Sequence, residues 1–142
     1  MKTAAILHSL YVFLEATRKE GKHMVICYAD RSGHTQLLWR ETDAWLGALD
    51  VAQNKAWTAI AFSGPTEDLA MSTADIAAFT QSGKPLYGMS PCGGGSRIIL
   101  AGGGRPIYID NKLIGSIGVS GSTLEDDIRL CNVAYTAFME HY

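Results

Sequence analysis

The first twenty residues carry apolar side chains at helical spacing. Between residues 3 and 20 these side chains form two adjacent stripes, and the helix is expected to end at Gly21. The stripes are Ile6, Leu10 and Phe13, and beside them Leu7, Tyr11 and Leu14. Two stripes give the helix more apolar surface than one sheet face covers. We therefore expect part of this helix to contact another copy of the chain.

Two segments with the composition of β-strands follow, at residues 24–29 and 35–40. The four residues between them are polar and end in Gly33, as a short hairpin requires. The first two strands are therefore predicted to be antiparallel.

The clearest helical pattern spans residues 43–62. Its apolar positions recur at spacings of four and three, and alanines dominate, so the helix can pack closely against a neighbouring layer. These positions are Trp45, Leu49, Ala52, Ala56 and Ala59. Ser63, Gly64 and Pro65 then interrupt the pattern.

The middle of the chain has weaker signals. Thr66 is placed to cap one helical turn, and Thr73 to cap a short helix that runs to Gln81. Gly83 and Pro85 end that helix. We expect this stretch to cover the core rather than to link two domains.

Three further strands are predicted, at residues 97–101, 106–110 and 113–119. Asn111 and Lys112 separate the last two and are a plausible two-residue hairpin turn. Together with the first hairpin, this makes a sheet of five strands.

A last helix follows, with a capping box made either by Ser122 and Glu125 or, one residue later, by Thr123 and Asp126. Its predicted stripe is Leu124, Ile128, Cys131, Tyr135, Phe138 and Tyr142. The element order predicts an α+β fold in one domain, residues 1–142: a mostly antiparallel five-stranded sheet flanked by helices.

Charge and composition narrow the possible partners. Twelve Lys and Arg against fourteen Asp and Glu give a net charge of −2, without the basic cluster of a nucleic-acid or anionic-membrane binder. Only 18% of the residues are charged, which leaves little charge to cover apolar surface and favours a homo-oligomer. The three cysteines are Cys27, Cys92 and Cys131; their spacing fits neither a zinc site nor a redox pair, so we expect reduced thiols in the cytoplasm.

Motifs for nucleotide, metal or serine chemistry are incomplete. The segment 118–122 resembles the nucleophile elbow G-x-S-x-G, but Ser122 stands at its last position and no histidine follows before His141. The glycine runs lack the ending of a phosphate-binding loop, and the four histidines lack metal-ligand spacing, so no metal is predicted. The helix start after Gly118 offers free N–H groups, yet the acidic residues 125–127 already satisfy the helix dipole.

Lys55 is the candidate binding residue that stands out on the long helix. At 100° per residue it lies about 80° from the centre of the apolar stripe, so its stem borders the core while its amine reaches a cleft edge. There it would hold a carboxylate, either of a ligand or of Asp43. The alternative is an exposed lysine with no ligand.

Haem iron has two candidate ligand sets. His8 is expected to point away from the Ile6 stripe, toward solvent or a neighbouring subunit. Tyr87, Met89 and Cys92 instead cluster in a glycine-rich loop, and all three residue types ligate haem.

Four motifs, taken in order, resemble one family. They are Arg40-x-x-Asp43-Ala44, Asn54-Lys55-Ala56-Trp57-Thr58-Ala59, Gly102-Gly103-Gly104-Arg105-Pro106-Ile107, and Ile114-Gly115-Ser116-Ile117-Gly118-Val119-Ser120-Gly121 followed by Asp126. Over nearly the whole chain this arrangement is similar to the GlcG/HbpS family, also called haem-degrading or DUF336 domains. It looks most like small stand-alone members encoded beside glycerol or propanediol utilisation genes.

The resemblance implies a profilin-like α/β/α sandwich and homo-oligomers from dimers to octamers. It also implies a ligand: some relatives bind haem or corrinoid-related molecules, and one branch is fused to a cobalamin adenosyltransferase. A histidine on the first helix of that branch makes His8 the first candidate haem ligand. The matching motif positions define an expected binding cleft, which comprises Lys55, Gly103, Gly104, Arg105, Pro106, Ser120 and Gly121.

Three functions remain open on this basis. The first is an oligomeric binding protein for a small ligand, haem or a related tetrapyrrole, that serves a catabolic pathway. The second is an enzyme for a small carboxylate or aldehyde, in which Lys55 or Arg105 holds the anion and the amides of residues 118–121 polarise it, with no evident general base. The third is a structural subunit whose glycines serve close packing.

Overall fold

The computed structural model describes residues 1–85, 87 and 97–142. Within them the helices are α1 (Thr3–Lys19), α2 (Gly47–Ala61), α3 (Thr73–Phe79) and α4 (Leu124–Glu140), with a 3₁₀ helix at Glu67–Leu69. The strands are β1 (Val25–Asp30), β2 (Thr35–Arg40), β3 (Gly104–Ile109) and β4 (Lys112–Ser120). Among these residues, no helix is both long enough and apolar enough to span a lipid bilayer.

The sheet is antiparallel throughout and has the order β2-β1-β4-β3. At its centre Cys27 of β1 lies opposite Leu38 of β2 on one side and Gly118 of β4 on the other. Both predicted hairpins are present, β1–β2 and β3–β4. The α+β class is confirmed, but the described sheet has four strands, not five.

The predicted fifth strand, residues 97–101, is wrong. The Thr58 hydroxyl of α2 donates to the carbonyl of Arg97 at 2.8 Å and accepts from the N–H of Ile99 at 3.0 Å. A helix side chain therefore satisfies backbone groups that a strand would pair with the sheet. The segment runs along α2 as irregular chain.

Helices cover both faces of the sheet. Helices α1 and α4 cover one face, where the large core side chains lie, including Phe13, Tyr28 and Phe138. Helix α2 covers the other face mainly through Ala48, Ala52 and Ala56, of which the last two belong to the predicted stripe. Each fully buried large apolar side chain contributes roughly 1.5–3 kcal/mol, so the α1/α4 side carries most of the hydrophobic stabilisation.

Helix α2 begins later than predicted, at Gly47 rather than at residue 43. The preceding chain is held to α1 and to the residue before β1: the Glu41 carboxylate accepts from the hydroxyl of Thr17 at 3.1 Å and from the N–H of Met24 at 2.7 Å. The helix therefore starts only after the chain has left the sheet edge. Trp45, assigned to the buried stripe, is 55% exposed.

The buried stripe of α4 is rotated from the predicted one. Leu124 and Ile128 are exposed, whereas the buried residues are Asp127, Leu130, Cys131, Ala134, Ala137 and Phe138. The helix is capped by Thr123, whose hydroxyl accepts from the N–H of Asp126 at 3.2 Å, so the later of the two predicted caps is the one formed.

The β3–β4 turn is shifted by one residue from the prediction. Asp110 and Asn111 both have positive φ, 48° and 62°, as the central pair of a type I′ hairpin requires. Lys112 already belongs to β4.

Gly118 sets the distance between α2 and the sheet. A Cβ at this position would lie 2.1 Å from the carbonyl oxygen of Ala52 and 2.6 Å from the nitrogen of Ala56, both backbone atoms that cannot swing aside. The alanines of α2 and this glycine together permit the close contact.

We expect Gly118→Ala to lower the free energy of unfolding by about 2–3 kcal/mol, because α2 must move off the sheet. Urea unfolding of Gly21→Ala provides the control: Gly21 has φ +65° but open space around it, so only about 1–2 kcal/mol of backbone strain is expected. Equal losses in the two variants would contradict the close-packing explanation.

Candidate functional site

A cleft of about 280 Å³ opens between the start of β3, the 3₁₀ helix with α3, and the middle of α4. Four predicted site residues line it: Gly103, Gly104, Arg105 and Pro106. The other lining residues are Glu67, Ala70, Ser72, Ala74, Asp75, Tyr108, Ile128, Cys131, Asn132 and Tyr135. The glycine-rich strand entry predicted from the sequence is therefore one wall of a cleft.

Arg105 supplies the positive charge of the cleft. Its guanidinium lies 3.5 Å from the centre of the Tyr135 ring, and Nη1 donates to Oδ1 of Asn132 at 2.7 Å. Cation–π contact and a hydrogen bond together hold the guanidinium in one place. Asn132 and Tyr135 are three residues apart on α4, so a single helix face positions the cation.

Thr73 joins the two walls of the cleft. Its buried hydroxyl accepts from the N–H of Gly104 at 2.7 Å, which ties the start of α3 to the first residue of β3. Thr73 was predicted as a helix cap, but Ser72 takes that role in a complete capping box with Asp75. The Thr73 hydroxyl is therefore available to hold the two walls of the cleft together.

The glycine run serves close packing within the protein. A Cβ at Gly103 would lie 2.6 Å from the carbonyl oxygen of Val119 and 2.9 Å from Nζ of Lys55, and Gly103 has φ +116°. The space that a side chain would need is filled by the chain itself. Because Gly103 has no side chain, β4 and α2 can pack directly against the back of the cleft wall.

Lys55 lies behind that wall. Its side chain is 1% exposed, and Nζ donates to Oδ2 of Asp127 at 2.8 Å and to the carbonyl of Val119 at 3.0 Å. Burial excludes the exposed-lysine alternative, and the carboxylate partner is Asp127 rather than Asp43. Lys55 is not among the cleft-lining residues, so a role for it in ligand binding stays a prediction.

Both carboxylate oxygens of Asp127 accept hydrogen bonds. One carboxylate oxygen accepts from Lys55, and the other accepts from the backbone N–H of Ser122 at 3.1 Å. Burial raises the pKa of the Asp127 carboxyl, and the Lys55 ammonium offsets part of that increase. The pair therefore connects α2 to the junction of β4 and α4.

Ser120 and Gly121 lie at the other end of this junction. Ser120 is buried in β4 opposite Val25, and Gly121, at φ +137°, packs against the backbone of His23 and Met24. Neither residue lines the cleft, and their ligand-binding role also stays a prediction.

His8 is half-buried at the far end of α4, instead of pointing straight into solvent. Its ring stacks on that of His141, with 3.9 Å between ring centroids, and Nε2 lies 3.9 Å from a carboxylate oxygen of Glu140. His8 and the cleft thus occupy different parts of the surface. Of the other haem candidates, Tyr87 is exposed, while Met89 and Cys92 lie outside the described residues.

Both cysteines in the described part of the chain are free and buried. Burial raises the pKa of the Cys27 thiol to about 11 and that of the Cys131 thiol to about 12. Neither is a reactive thiolate at neutral pH, although Cys131 contributes to the cleft lining. In the same residues no group of three His, Cys, Asp or Glu side chains is arranged to hold a metal ion.

Sequence reasoning missed Asp127, Asn132 and Tyr135 as site residues. For Asp127 a signal existed: it stands three and four residues before Leu130 and Cys131, on the stripe that is buried. A carboxylate on a buried stripe requires a partner, and Lys55 borders the facing stripe. Asn132 and Tyr135 offered no comparable signal, because only the fold brings them to Arg105.

Comparison with known proteins shows which family the chain belongs to. The family model described as "Haem degrading protein HbpS-like" matches residues 4–136. The chain belongs to this family. Among its relatives, a 15.0 kDa protein encoded in the dhaT-dhaS intergenic region of Citrobacter freundii is 36% identical over 117 residues, 82% of this chain and 77% of that protein.

A second relative in this group is the corrinoid adenosyltransferase PduO of Salmonella typhimurium, 30% identical over 138 residues. The match covers 94% of this chain but 39% of PduO. Among solved structures, Klebsiella pneumoniae ORFY superposes with a TM-score of 0.84 at 31% identity, covering 98% of this chain and 90% of ORFY. A PduOC:heme complex superposes with 0.82 at 25% identity, covering 96% and 94%.

The buried Lys55–Asp127 pair predicts that a single substitution destabilises the protein more than the double substitution. Lys55→Met is expected to lower the free energy of unfolding by about 3–5 kcal/mol, because it leaves a buried carboxylate without its partner. The double variant Lys55→Met with Asp127→Leu should recover much of that loss, which denaturant unfolding measures directly.

Lys22→Met is the matched control, because Lys22 pairs with the neighbouring carboxylate, Asp126, at the surface, at 2.7 Å. A loss below about 1 kcal/mol is expected there. If Lys55→Met costs no more than Lys22→Met, the buried pair does not organise the junction.

Proposed function

We propose that this protein is a homo-oligomeric accessory protein of a catabolic pathway that binds a small organic ligand. The observation that carries the proposal is the cleft at Arg105, where a fixed cation faces an open space. A guanidinium offers two parallel N–H groups to a carboxylate, which gives orientation as well as attraction. The relative from the dhaT-dhaS region and PduO support a role beside glycerol or propanediol utilisation.

Haem is the first ligand to test. The 25% identical structure with the same fold is described as a heme complex, and PduO is described as acting on corrinoids, another tetrapyrrole-like macrocycle. The volume of the cleft, about 280 Å³, lies at the lower end of the range of roughly 300–1,000 Å³ for ligand pockets, so we assign the cleft to a molecule smaller than a macrocycle. We therefore propose a haem site at His8 on α1, near the boundary between two copies of the chain.

The surroundings of His8 suit a flat apolar ligand. Leu7 and Tyr11, one turn apart on α1, are 52% and 65% exposed. They offer apolar surface beside the imidazole, whose Nε2 lies 3.9 Å from a carboxylate oxygen of Glu140. His141 stacks on the His8 ring, and we expect haem to bind weakly at this half-exposed position. No catalytic step is part of this proposal, because Lys55 is already neutralised by Asp127.

Haemin titration followed by absorbance tests the haem assignment. The unmodified protein is expected to shift the Soret band, and His8→Ala to lose that shift because it removes the axial ligand. His34→Ala, which changes a histidine with an 80% exposed side chain in the β1–β2 turn, should behave like the unmodified protein. An unchanged shift in His8→Ala would eliminate His8, and no shift in any form would eliminate haem while leaving the cleft proposal intact.

Self-association is tested by light scattering behind size exclusion. We expect a dimer or larger assembly at micromolar concentration, because α1 exposes Leu7 and Tyr11 and the chain carries few charges to solvate such a surface. Leu7→Glu combined with Tyr11→Glu should lower the mass. Leu69→Glu changes an equally exposed leucine on the 3₁₀ helix and should not; a monomer in the unmodified protein would refute the oligomer.

A further inference from the structure

The Arg105 cleft carries charges of both signs on separate elements. Its β3 and α4 side holds the guanidinium of Arg105, while its 3₁₀ and α3 side holds the carboxylates of Glu67 and Asp75. A site built only for an anion would not place two carboxylates beside it, because they repel a second negative charge. The cleft therefore has a positive and a negative side.

The two carboxylates differ in what they already bind. Oδ2 of Asp75 accepts from the N–H and the hydroxyl of Ser72, at 2.9 and 2.7 Å, so this group belongs to the cap of α3. The Glu67 carboxylate makes no hydrogen bond or ion pair with the residues that the structure describes. Glu67 is thus the acceptor that remains available to a ligand.

The backbone that carries Glu67 is nevertheless anchored. Its N–H donates to Oδ1 of Asn111 in the β3–β4 turn at 2.8 Å. Nearby, the hydroxyl of Tyr108 donates to the carbonyl of Gly64 at 2.6 Å. Both contacts tie the segment before α3 to the β3–β4 hairpin, which also carries Arg105.

Apart from its charged groups, the cleft lining is mixed, and part of it is apolar. Pro106, Ile128 and Cys131 contribute carbon and sulfur surface there, and Cys131 carries no charge at neutral pH. A short carbon chain is the complement of this apolar part of the lining. The volume of about 280 Å³ limits that chain to a small molecule.

From this arrangement we propose that the cleft selects a small molecule with a carboxylate at one end and a hydrogen-bond donor, hydroxyl or ammonium, at the other. The carboxylate pairs with Arg105, and the donor pairs with Glu67. A dicarboxylate is rejected, because its second charge meets Glu67 and Asp75. This inference rests on the proposed function for the Arg105 half only; the donor half is independent of it.

Isothermal titration with four probes of equal chain length tests the inference: 4-hydroxybutyrate, 4-aminobutyrate, butyrate and succinate. We expect the hydroxyl or ammonium probe to bind about tenfold more tightly than butyrate, since a hydrogen bond to a charged group is otherwise lost. Succinate should bind more weakly than butyrate. Whichever donor probe binds better identifies the donor as hydroxyl or ammonium.

Two variants test which residue binds which end of the ligand. Arg105→Gln should weaken every probe by about tenfold or more, and Glu67→Gln should remove the advantage of 4-aminobutyrate over butyrate and relieve the rejection of succinate. Glu125→Gln is the matched control, because Glu125 is an exposed carboxylate of α4 outside the cleft lining. Thermal melts confirm that the variants are folded.

The outcomes separate this inference from the proposed function. If butyrate binds as tightly as both donor probes and depends on Arg105, the donor end is wrong while the Arg105 site stands. If Glu67→Gln leaves the order of the four probes unchanged, the inference is likewise overturned. If no probe depends on Arg105, the proposed cleft function fails as well.

Discussion

The buried ion pair between Lys55 and Asp127 is the contact on which the rest of the site depends. It joins α2 to the point where β4 becomes α4, and Nζ of Lys55 also holds the carbonyl of Val119 in the last part of β4. Two charges without water require partners at close range, so the position of one element determines the position of the other. Close approach of α2 to the sheet, permitted by Gly118, brings the lysine within reach.

The cleft lies one layer outward from that pair. Gly103 packs directly over Nζ of Lys55, and the N–H of Val119 donates to the carbonyl of Gly103 at 2.8 Å. The chain at the start of β3 therefore packs against the ion pair. Arg105, two residues after Gly103, contacts Asn132 and Tyr135 of α4. Lys55 thus supports the cleft from behind, while the positive charge in the cleft lining is that of Arg105. The sequence left open whether Lys55 or Arg105 carries the charge of the cleft; in the structure the lysine is buried and the arginine lines the cleft.

Much of the architecture was predictable because it depends on local spacing. The alanine pattern of α2, the hairpin at Gly33 and the start of α1 each rest on residues close in sequence, and all three were confirmed. Errors arose where a distant partner replaced the local preference. Residues 97–101 have strand composition, but the Thr58 hydroxyl bonds the backbone of Arg97 and Ile99. The Glu41 carboxylate binds the N–H of Met24, and α2 starts later than its sequence pattern predicts.

The sequence by itself determined the family, the α+β class and the Gly103–Pro106 wall of the cleft, because motif order and hydrophobic period are properties of the chain alone. Tertiary structure decided which groups meet. Lys55 and Asp127 are 72 residues apart, and His8 and His141 are nearly a full chain length apart, so no spacing rule pairs them. Packing α2 and α4 against opposite faces of one sheet sets the first distance, and packing α1 beside α4 on one face sets the second. Both decide which charge is buried and which lines the cleft.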